Sequence, residues 1–132
     1  MRKIDKIIIH CTATREGVNV TPSQIKEWHL ARGFKTIGYH FVITLDGKIH
    51  VGREICDVGA HCKGQNKHSI GICYVGGLDE NGKSKDTRTP EQKKSLLELL
   101  KRLKKDYPNA TIHGHNEFAN KDCPCFDVSS LV

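Results

Sequence analysis

The residues best suited to chemistry lie together near the C-terminus, in residues 113–127. This segment holds two histidines, two cysteines and a lysine, and its glycine, asparagine and aspartate residues are typical of a loop. Imidazole and thiolate are ligands that zinc prefers, and a catalytic zinc has three protein ligands and one open position. His115 and Cys123 are two candidate ligands. The third must come from elsewhere in the chain, and His10 is the best candidate.

Two neighbours of these ligands keep alternatives open. His113 lies two residues before His115 on the same short strand, therefore on the same face, and is a rival ligand. Cys125 is an extra thiol that would either compete for the metal or form a disulfide with Cys123. If His113 or Cys125 supplied a fourth ligand, the zinc would be structural rather than catalytic.

The chemistry that a three-ligand zinc supports is hydrolysis. The metal lowers the pKa of a water molecule to about 7 and polarises a carbonyl group. Attack on an amide then creates an oxyanion, which requires a donor or a cation directed at it. Lys121, two residues before Cys123, is a candidate for the cation. Tyr39 is either a core aromatic or a polar group that orients the water or donates a hydrogen bond to the oxyanion.

Strands and capped helices are predicted to hold these side chains. The β-branched run over residues 4–10 predicts a buried strand that has His10 at its carboxyl end. Residues 21–24, Thr-Pro-Ser-Gln, predict the start of a helix that ends at Gly33, because threonine is a good N-cap and proline suits the first helical position. Trp28 in this helix is expected in the core.

A hairpin is predicted around residues 46–47, Asp-Gly, which separate the apolar runs 37–45 and 48–52. Tyr39 would then stand near the beginning of a strand. Because side chains alternate along a strand, Tyr39 and Phe41 are expected on one face.

The second half of the chain contains similar patterns. Residues 57–62 are a possible short strand that leads into a polar loop, and residues 69–75 predict a central buried strand. Residues 89–92, Thr-Pro-Glu-Gln, predict a second capped helix, and residues 110–114 predict the strand before the C-terminal loop. The apolar face of the second helix consists of Leu96, Leu99, Leu100 and Leu103.

This order of elements predicts the fold class. It indicates an α/β protein with a central mixed β-sheet flanked by α-helices. The length of 132 residues suits a single domain, over residues 1–132. The order of the strands in the sheet does not follow from the sequence.

The net charge and the motifs of the chain limit the classes of partner that we expect. The net charge of +6 favours a polyanion such as nucleic acid, anionic lipid or an acidic cell-wall polymer, or else forms a solvated basic face. There is no RNA-binding motif with interleaved aromatics and no paired-cysteine zinc finger, so no specific nucleic acid is expected. No apolar run approaches a membrane span or a signal-peptide core, so we expect cytoplasmic synthesis without a signal peptide. The six cysteines are then expected as free thiols or metal ligands.

Several short motifs occur in the order that is typical of one known family, and they cover almost the whole chain. They are Ile7-Ile8-Ile9-His10-Cys11-Thr12-Ala13-Thr14, Gly38-Tyr39-His40-Phe41, Asp46-Gly47, Val58-Gly59-Ala60-His61, Asn66-Lys67-His68-Ser69-Ile70-Gly71-Ile72, Val75-Gly76-Gly77, Gly114-His115-Asn116-Glu117 and Lys121-Asp122-Cys123-Pro124-Cys125-Phe126-Asp127. Through these motifs the chain resembles the type-two zinc N-acetylmuramoyl-L-alanine amidases. That family includes phage lysozyme-like amidases and peptidoglycan recognition proteins.

The resemblance implies a site and a reaction. One zinc ion per chain would be bound by His10, His115 and Cys123, with Tyr39 and Lys121 as catalytic residues. The reaction would be hydrolysis of the amide bond between N-acetylmuramic acid and L-alanine of peptidoglycan. A groove would hold the muramyl-peptide substrate, lined by His61, Lys63, Asn66 and His68.

The resemblance also implies a biological setting, which is a phage or prophage endolysin. Such a protein, expected as a monomer, would reach the cell wall after release through a membrane pore. The alternative is a recognition module that binds peptidoglycan without cutting it, as relatives without the thiolate ligand do. Cys123 favours the enzyme. A nucleic-acid binder is a third hypothesis that rests only on the net charge, and its signature would be a steep salt dependence of DNA affinity.

Overall fold

The computed structural model of the protein describes residues 2–131, so the two ends of the predicted domain, Met1 and Val132, lie outside the described residues. Within this range the chain forms seven strands and two α-helices. In chain order they are β1 (Lys6–Cys11), β2 (Thr14–Arg15), α1 (Pro22–Ala31), β3 (Phe41–Ile43), β4 (Ile49–Val51), β5 (Ser69–Tyr74), β6 (Gly77–Leu78), α2 (Pro90–Asp106) and β7 (Thr111–Gly114).

Five of the strands form one mixed sheet, as the sequence predicts. Their order is β4-β3-β5-β1-β7. Strand β1 is parallel to both β5 and β7, and β3 is parallel to β5 but antiparallel to β4. Strands β2 and β6 pair separately as a two-stranded sheet. Strand β1 therefore lies between two parallel neighbours, which explains its continuous apolar run.

The two faces of the main sheet pack against different helices. On one face, alternate residues of β1 such as Ile7 and Ile9 share a cluster with the leucine face of α2. On the other face, Val42 and Val75 share a second cluster with Ile25 of α1. Since side chains alternate along a strand, His10 lies on the α1 face. The result is an arrangement of three layers, helix, sheet and helix.

Both helices begin as the sequence predicts. Thr21 caps α1 and Thr89 caps α2, each through a capping box with a glutamine at the third position. The expectation that Trp28 is in the core is wrong, because 45% of its surface is exposed. The buried residues of α1 are Ile25 and His29, and Trp28 lies about 100° around the helix from His29.

Three other predictions fail at or after the hairpin. The hairpin itself forms between β3 and β4, but β3 begins only at Phe41, so Tyr39 lies outside the regular strand. Tyr39 consequently packs with the α1-side cluster, whereas Phe41 packs with the α2-side cluster, and the two do not share a face. The prediction of a short strand over residues 57–62 is also wrong, because these residues form an irregular segment with bends.

None of the helices within residues 2–131 has the length and apolar character that crossing a membrane requires.

Candidate metal centre and cleft

The three predicted metal ligands come together at one edge of the sheet. The ligand atoms of His10, His115 and Cys123 all lie within 4.8 Å of one another, and the Nδ1 atoms of the two histidines are 3.1 Å apart. The parallel pairing of β1 and β7 explains this, because it places Ile9 opposite Gly114. The next residue of each chain segment is a histidine, and the carboxyl ends of parallel strands are a common location for sites.

Cys123 reaches the same point through a loop that is fixed by hydrogen bonds. The Asn116 N–H donates to the carbonyl of Cys123 over 2.8 Å. The buried hydroxyl of Tyr74, at the end of β5, donates to the Pro124 carbonyl over 2.6 Å. The Cys11 N–H donates to the Cys123 sulfur over 3.2 Å. The sulfur is therefore anchored both to its own loop and to the end of β1.

The surroundings favour neutral imidazoles, the form that binds metals. Burial lowers the pKa of His10 well below its usual value, and the nearby His61 and His115 lower it further. Burial also lowers the pKa of His115, and the positive charge of Lys121 contributes to this shift.

These ligands form part of the wall of a cleft of about 500 Å³. Tyr39 and Lys121, the two predicted catalytic residues, line the same cleft. The Tyr39 ring lies between two histidine rings, with centroid distances of 5.2 Å to both His10 and His29. Burial raises the pKa of Tyr39 well above its usual value, as do the neighbouring thiols. Lys121 is exposed to solvent.

The four predicted substrate-binding residues are not equivalent in the structure. His61, Lys63 and Asn66 line the cleft. The side-chain oxygen of Asn66 accepts the N–H groups of His61 and of the following residue over 2.9 Å each. His68 is not among the lining residues, and its Nδ1 lies 3.0 Å from the carbonyl of Lys3.

The rival ligands of the sequence interpretation are engaged elsewhere. The ring of His113 lies between Glu117, 2.8 Å from Nδ1, and Thr111, 2.6 Å from Nε2. The sulfur of Cys125 lies 3.8 Å from that of Cys11, and burial together with Cys11 raises the pKa of Cys125 to about 12. All six cysteines are free, so the structure has no disulfide between Cys123 and Cys125.

Sequence reasoning did not identify other residues of the cleft. The most notable is His29 on α1, whose Nδ1 accepts the Gly38 N–H over 2.8 Å and whose ring packs against Tyr39. A single histidine on the inner face of a helix has no distinctive spacing, so only the fold reveals its position. Phe34 and Phe118 supply apolar wall at the same cleft.

Comparison with known proteins extends over nearly the whole chain. Residues 1–126 match the model of a family described as N-acetylmuramoyl-L-alanine amidase. The endolysin of Escherichia phage T7 is 44% identical over 124 residues, which are 94% of this chain and 82% of that protein.

Solved structures of similar fold also match nearly the whole chain. The N-acetylmuramoyl-L-alanine amidase LysC from Clostridium intestinale URNW has a TM-score of 0.85 at 32% identity, covering 98% of this chain and 83% of that one. The ectodomain complex of the peptidoglycan recognition proteins LCa and LCx, solved with bound tracheal cytotoxin, matches with a TM-score of 0.79 at 27% identity. That match covers 94% of this chain and 77% of that one.

Proposed function

The chain belongs to the N-acetylmuramoyl-L-alanine amidase family, and from that premise we propose that it is a zinc-dependent endolysin whose metal is held by His10, His115 and Cys123. Its reaction is hydrolysis of the amide bond between N-acetylmuramic acid and L-alanine of peptidoglycan. The zinc assignment rests on one observation: three suitable side chains come together at one edge of the sheet.

The donor set suits zinc in type, number and spacing. Imidazole nitrogens and a thiolate are ligands that zinc prefers, and three protein ligands leave one position open. At zinc–nitrogen distances of about 2.0–2.1 Å, two nitrogens of a tetrahedral site lie roughly 3.3 Å apart, and the two Nδ1 atoms here are 3.1 Å apart. A zinc ion bound here would activate a water molecule and polarise the carbonyl of the amide.

We assign the stabilisation of the oxyanion to Tyr39 and Lys121. Both side chains line the cleft beside the ligands, and the charge of Lys121 influences the pKa of His115. A phenol hydroxyl and an ammonium group both donate hydrogen bonds, and such donors act most strongly where negative charge develops in the transition state. The two residues therefore complete a site for hydrolysis.

We propose that the cleft holds the muramyl peptide. Its volume of about 500 Å³ is in the usual range for a ligand site, and a protein of similar fold is known with tracheal cytotoxin bound. The ammonium of Lys63 lines the cleft and is exposed, so it suits a carboxylate of the peptide. Asn66 has its oxygen engaged by backbone N–H groups, which leaves its amide NH₂ as the group available to substrate.

The biological setting follows the endolysin relatives. We propose that the protein acts as a monomer on the cell wall after release through a membrane pore. The support is the similarity to a phage endolysin over 94% of this chain.

A matched pair of cysteine variants tests the metal assignment. Cys123→Ser removes a ligand, so we expect it to lose both bound zinc and lysis of purified cell walls. Cys125→Ser should retain both, because its sulfur lies beside Cys11 rather than in the ligand group. Zinc content by mass spectrometry of the metal and wall turbidity are the readouts. A Cys123→Ser protein that bound zinc and lysed walls like the parent would overturn the assignment.

A further inference from the structure

The imidazole of His61 lies directly behind His10, on the side away from the other metal ligands. Its Nδ1 is 2.8 Å from Nε2 of His10, and the two rings meet edge to face with centroids 4.9 Å apart. On the far side, Nε2 of His61 is 3.2 Å from the hydroxyl oxygen of Ser69. Both nitrogens of His61 are thus occupied inside the protein.

One arrangement of protons satisfies this chain of contacts together with metal binding. A His10 that binds metal through Nδ1 must carry its proton on Nε2, because a ligand nitrogen has to be unprotonated. That Nε2–H then donates to Nδ1 of His61. The proton of His61 is accordingly on Nε2, from which it is donated to the oxygen of Ser69. Each bond has one donor and one acceptor, so the chain has a single direction.

The His61 ring packs closely against the backbone of two glycines, where a larger residue would collide with it. A Cβ atom at Gly71 would lie 2.5 Å from Cγ of His61, and a Cβ atom at Gly59 would lie 2.7 Å from its Cδ2. Real Cβ atoms do not approach other atoms so closely, so the ring occupies a slot that only glycine permits at either side. The backbone N–H of His61 is held by Asn66. Only 9% of the surface of His61 is exposed.

We propose that His61 is a positioning residue for the metal ligand His10, held in turn by Ser69, and not a residue that binds substrate. This inference rests on the proposed zinc site. Partners that accept the second N–H of a ligating histidine fix the orientation and tautomer of its ring, and their loss weakens metal binding by about 10- to 100-fold. His61 meets this description through its distance to His10, its burial and its fixed ring.

Three variants test the proposal by zinc affinity, measured by competition with a chelator of known affinity. His61→Ala removes the acceptor, and we expect zinc to bind about 10- to 100-fold more weakly. His61→Asn returns an oxygen close to the position of Nδ1, so it should bind zinc more tightly than His61→Ala. Ser69→Ala removes the support of His61 and should weaken zinc binding less than His61→Ala does. Circular dichroism and thermal unfolding check that each variant is folded.

The kinetic parameters of the zinc-saturated variants separate the two roles of His61. A positioning residue predicts that KM for wall fragments stays close to the parent value. A His61→Ala protein with unchanged zinc affinity and a raised KM would overturn the proposal and return His61 to the substrate groove. If His61→Ala does not fold, the zinc affinity of Ser69→Ala provides the test. Weaker zinc binding than in the parent supports the proposal, and unchanged zinc binding overturns it. A parent protein that bound no zinc would instead contradict the proposed function.

Discussion

His10 connects the proposed metal centre with the interior of the protein. Its Nδ1 faces His115 over 3.1 Å and its Nε2 faces His61 over 2.8 Å, so both nitrogens have defined partners. Lys121 and Tyr39 lie on the open side, where they line the cleft. The candidate site therefore divides into buried residues that hold the proposed ligands and cleft residues that we propose contact substrate.

Removing the hydroxyl of Tyr39 tests its role as an oxyanion donor. Tyr39→Phe keeps the ring that packs against His10 and His29, so zinc affinity should not change. Loss of one such donor costs about 10²- to 10³-fold in kcat, and we expect a decrease of that order. Turnover of a soluble muramyl-peptide fragment provides kcat and KM separately. A decrease that appeared only in KM would contradict the assignment.

The starts of the two helices have the same sequence pattern, but their glutamines have different surroundings. The Thr-Pro-x-Gln pattern predicted both capping boxes correctly. However, Gln24 is exposed, whereas Gln92 is completely buried. The side-chain NH₂ of Gln92 donates to the carbonyls of Ile43 and Val75 over 3.2 and 3.0 Å. This link between α2 and the sheet depends on tertiary placement, which a local pattern does not contain.

Replacing each of these glutamines by leucine should show the difference. Gln24→Leu removes only an exposed cap interaction, for which we expect a loss of about 1 kcal/mol or less in the free energy of unfolding. Gln92→Leu also removes a donor from two buried carbonyls, of which that of Ile43 keeps the Val75 N–H, so a loss of roughly 3 kcal/mol is expected. Urea unfolding followed by circular dichroism measures both. Equal losses would mean that the buried hydrogen bonds of Gln92 add nothing to stability.

Much of the candidate site was predictable because His10 and His115 lie at the carboxyl ends of strands. The run ending at His10 and the strand before His115 were both readable from the sequence, and the thiol of Cys123 in the following loop was already a candidate ligand by its residue type. The strand order β4-β3-β5-β1-β7 was not readable, since strand pairing in parallel sheets is non-local. The sequence also left His113 open as a ligand, because a local pattern does not show which neighbour an imidazole contacts, and the structure places it beside Glu117.

For the molecule as a whole, the buried histidines make stability depend on pH. His40 is completely buried. Its Nδ1 accepts the Gly71 N–H over 3.0 Å, and its Nε2 lies 2.8 Å from the carbonyl oxygen of Asp57, so the neutral ring satisfies both partners. Burial lowers the pKa of His40 to about 4, and the nearby charge of Arg2 also disfavours protonation.

The sign of the pH effect follows from proton binding. Between about pH 6.5 and 4 the unfolded chain binds a proton at residue 40 that the folded protein does not, so stability falls as the pH falls. The contribution is about 1.4 kcal/mol per pH unit, or roughly 3 kcal/mol over the window. Above pH 6.5 His40 adds no pH dependence.

A comparison with His40→Asn isolates this contribution, because asparagine can still accept the Gly71 N–H but does not titrate. Both proteins are unfolded with urea at pH values from 4 to 7.5, in the presence of chelator so that metal release adds nothing. The free energy of unfolding of the parent should decline more steeply between pH 6.5 and 4 than that of the variant. The difference in slope should correspond to one additional proton taken up on unfolding. Parallel declines would show that His40 is not the group responsible.

We propose that this protein is a zinc amidase that cuts between N-acetylmuramic acid and L-alanine. The most direct test is mass spectrometry of purified peptidoglycan after incubation with the protein, with zinc and with a zinc chelator. We expect free stem peptides that begin at L-alanine, uncut glycan strands, and release only when zinc is present. Release that persisted unchanged after complete removal of zinc, or products cut within the glycan, would contradict it.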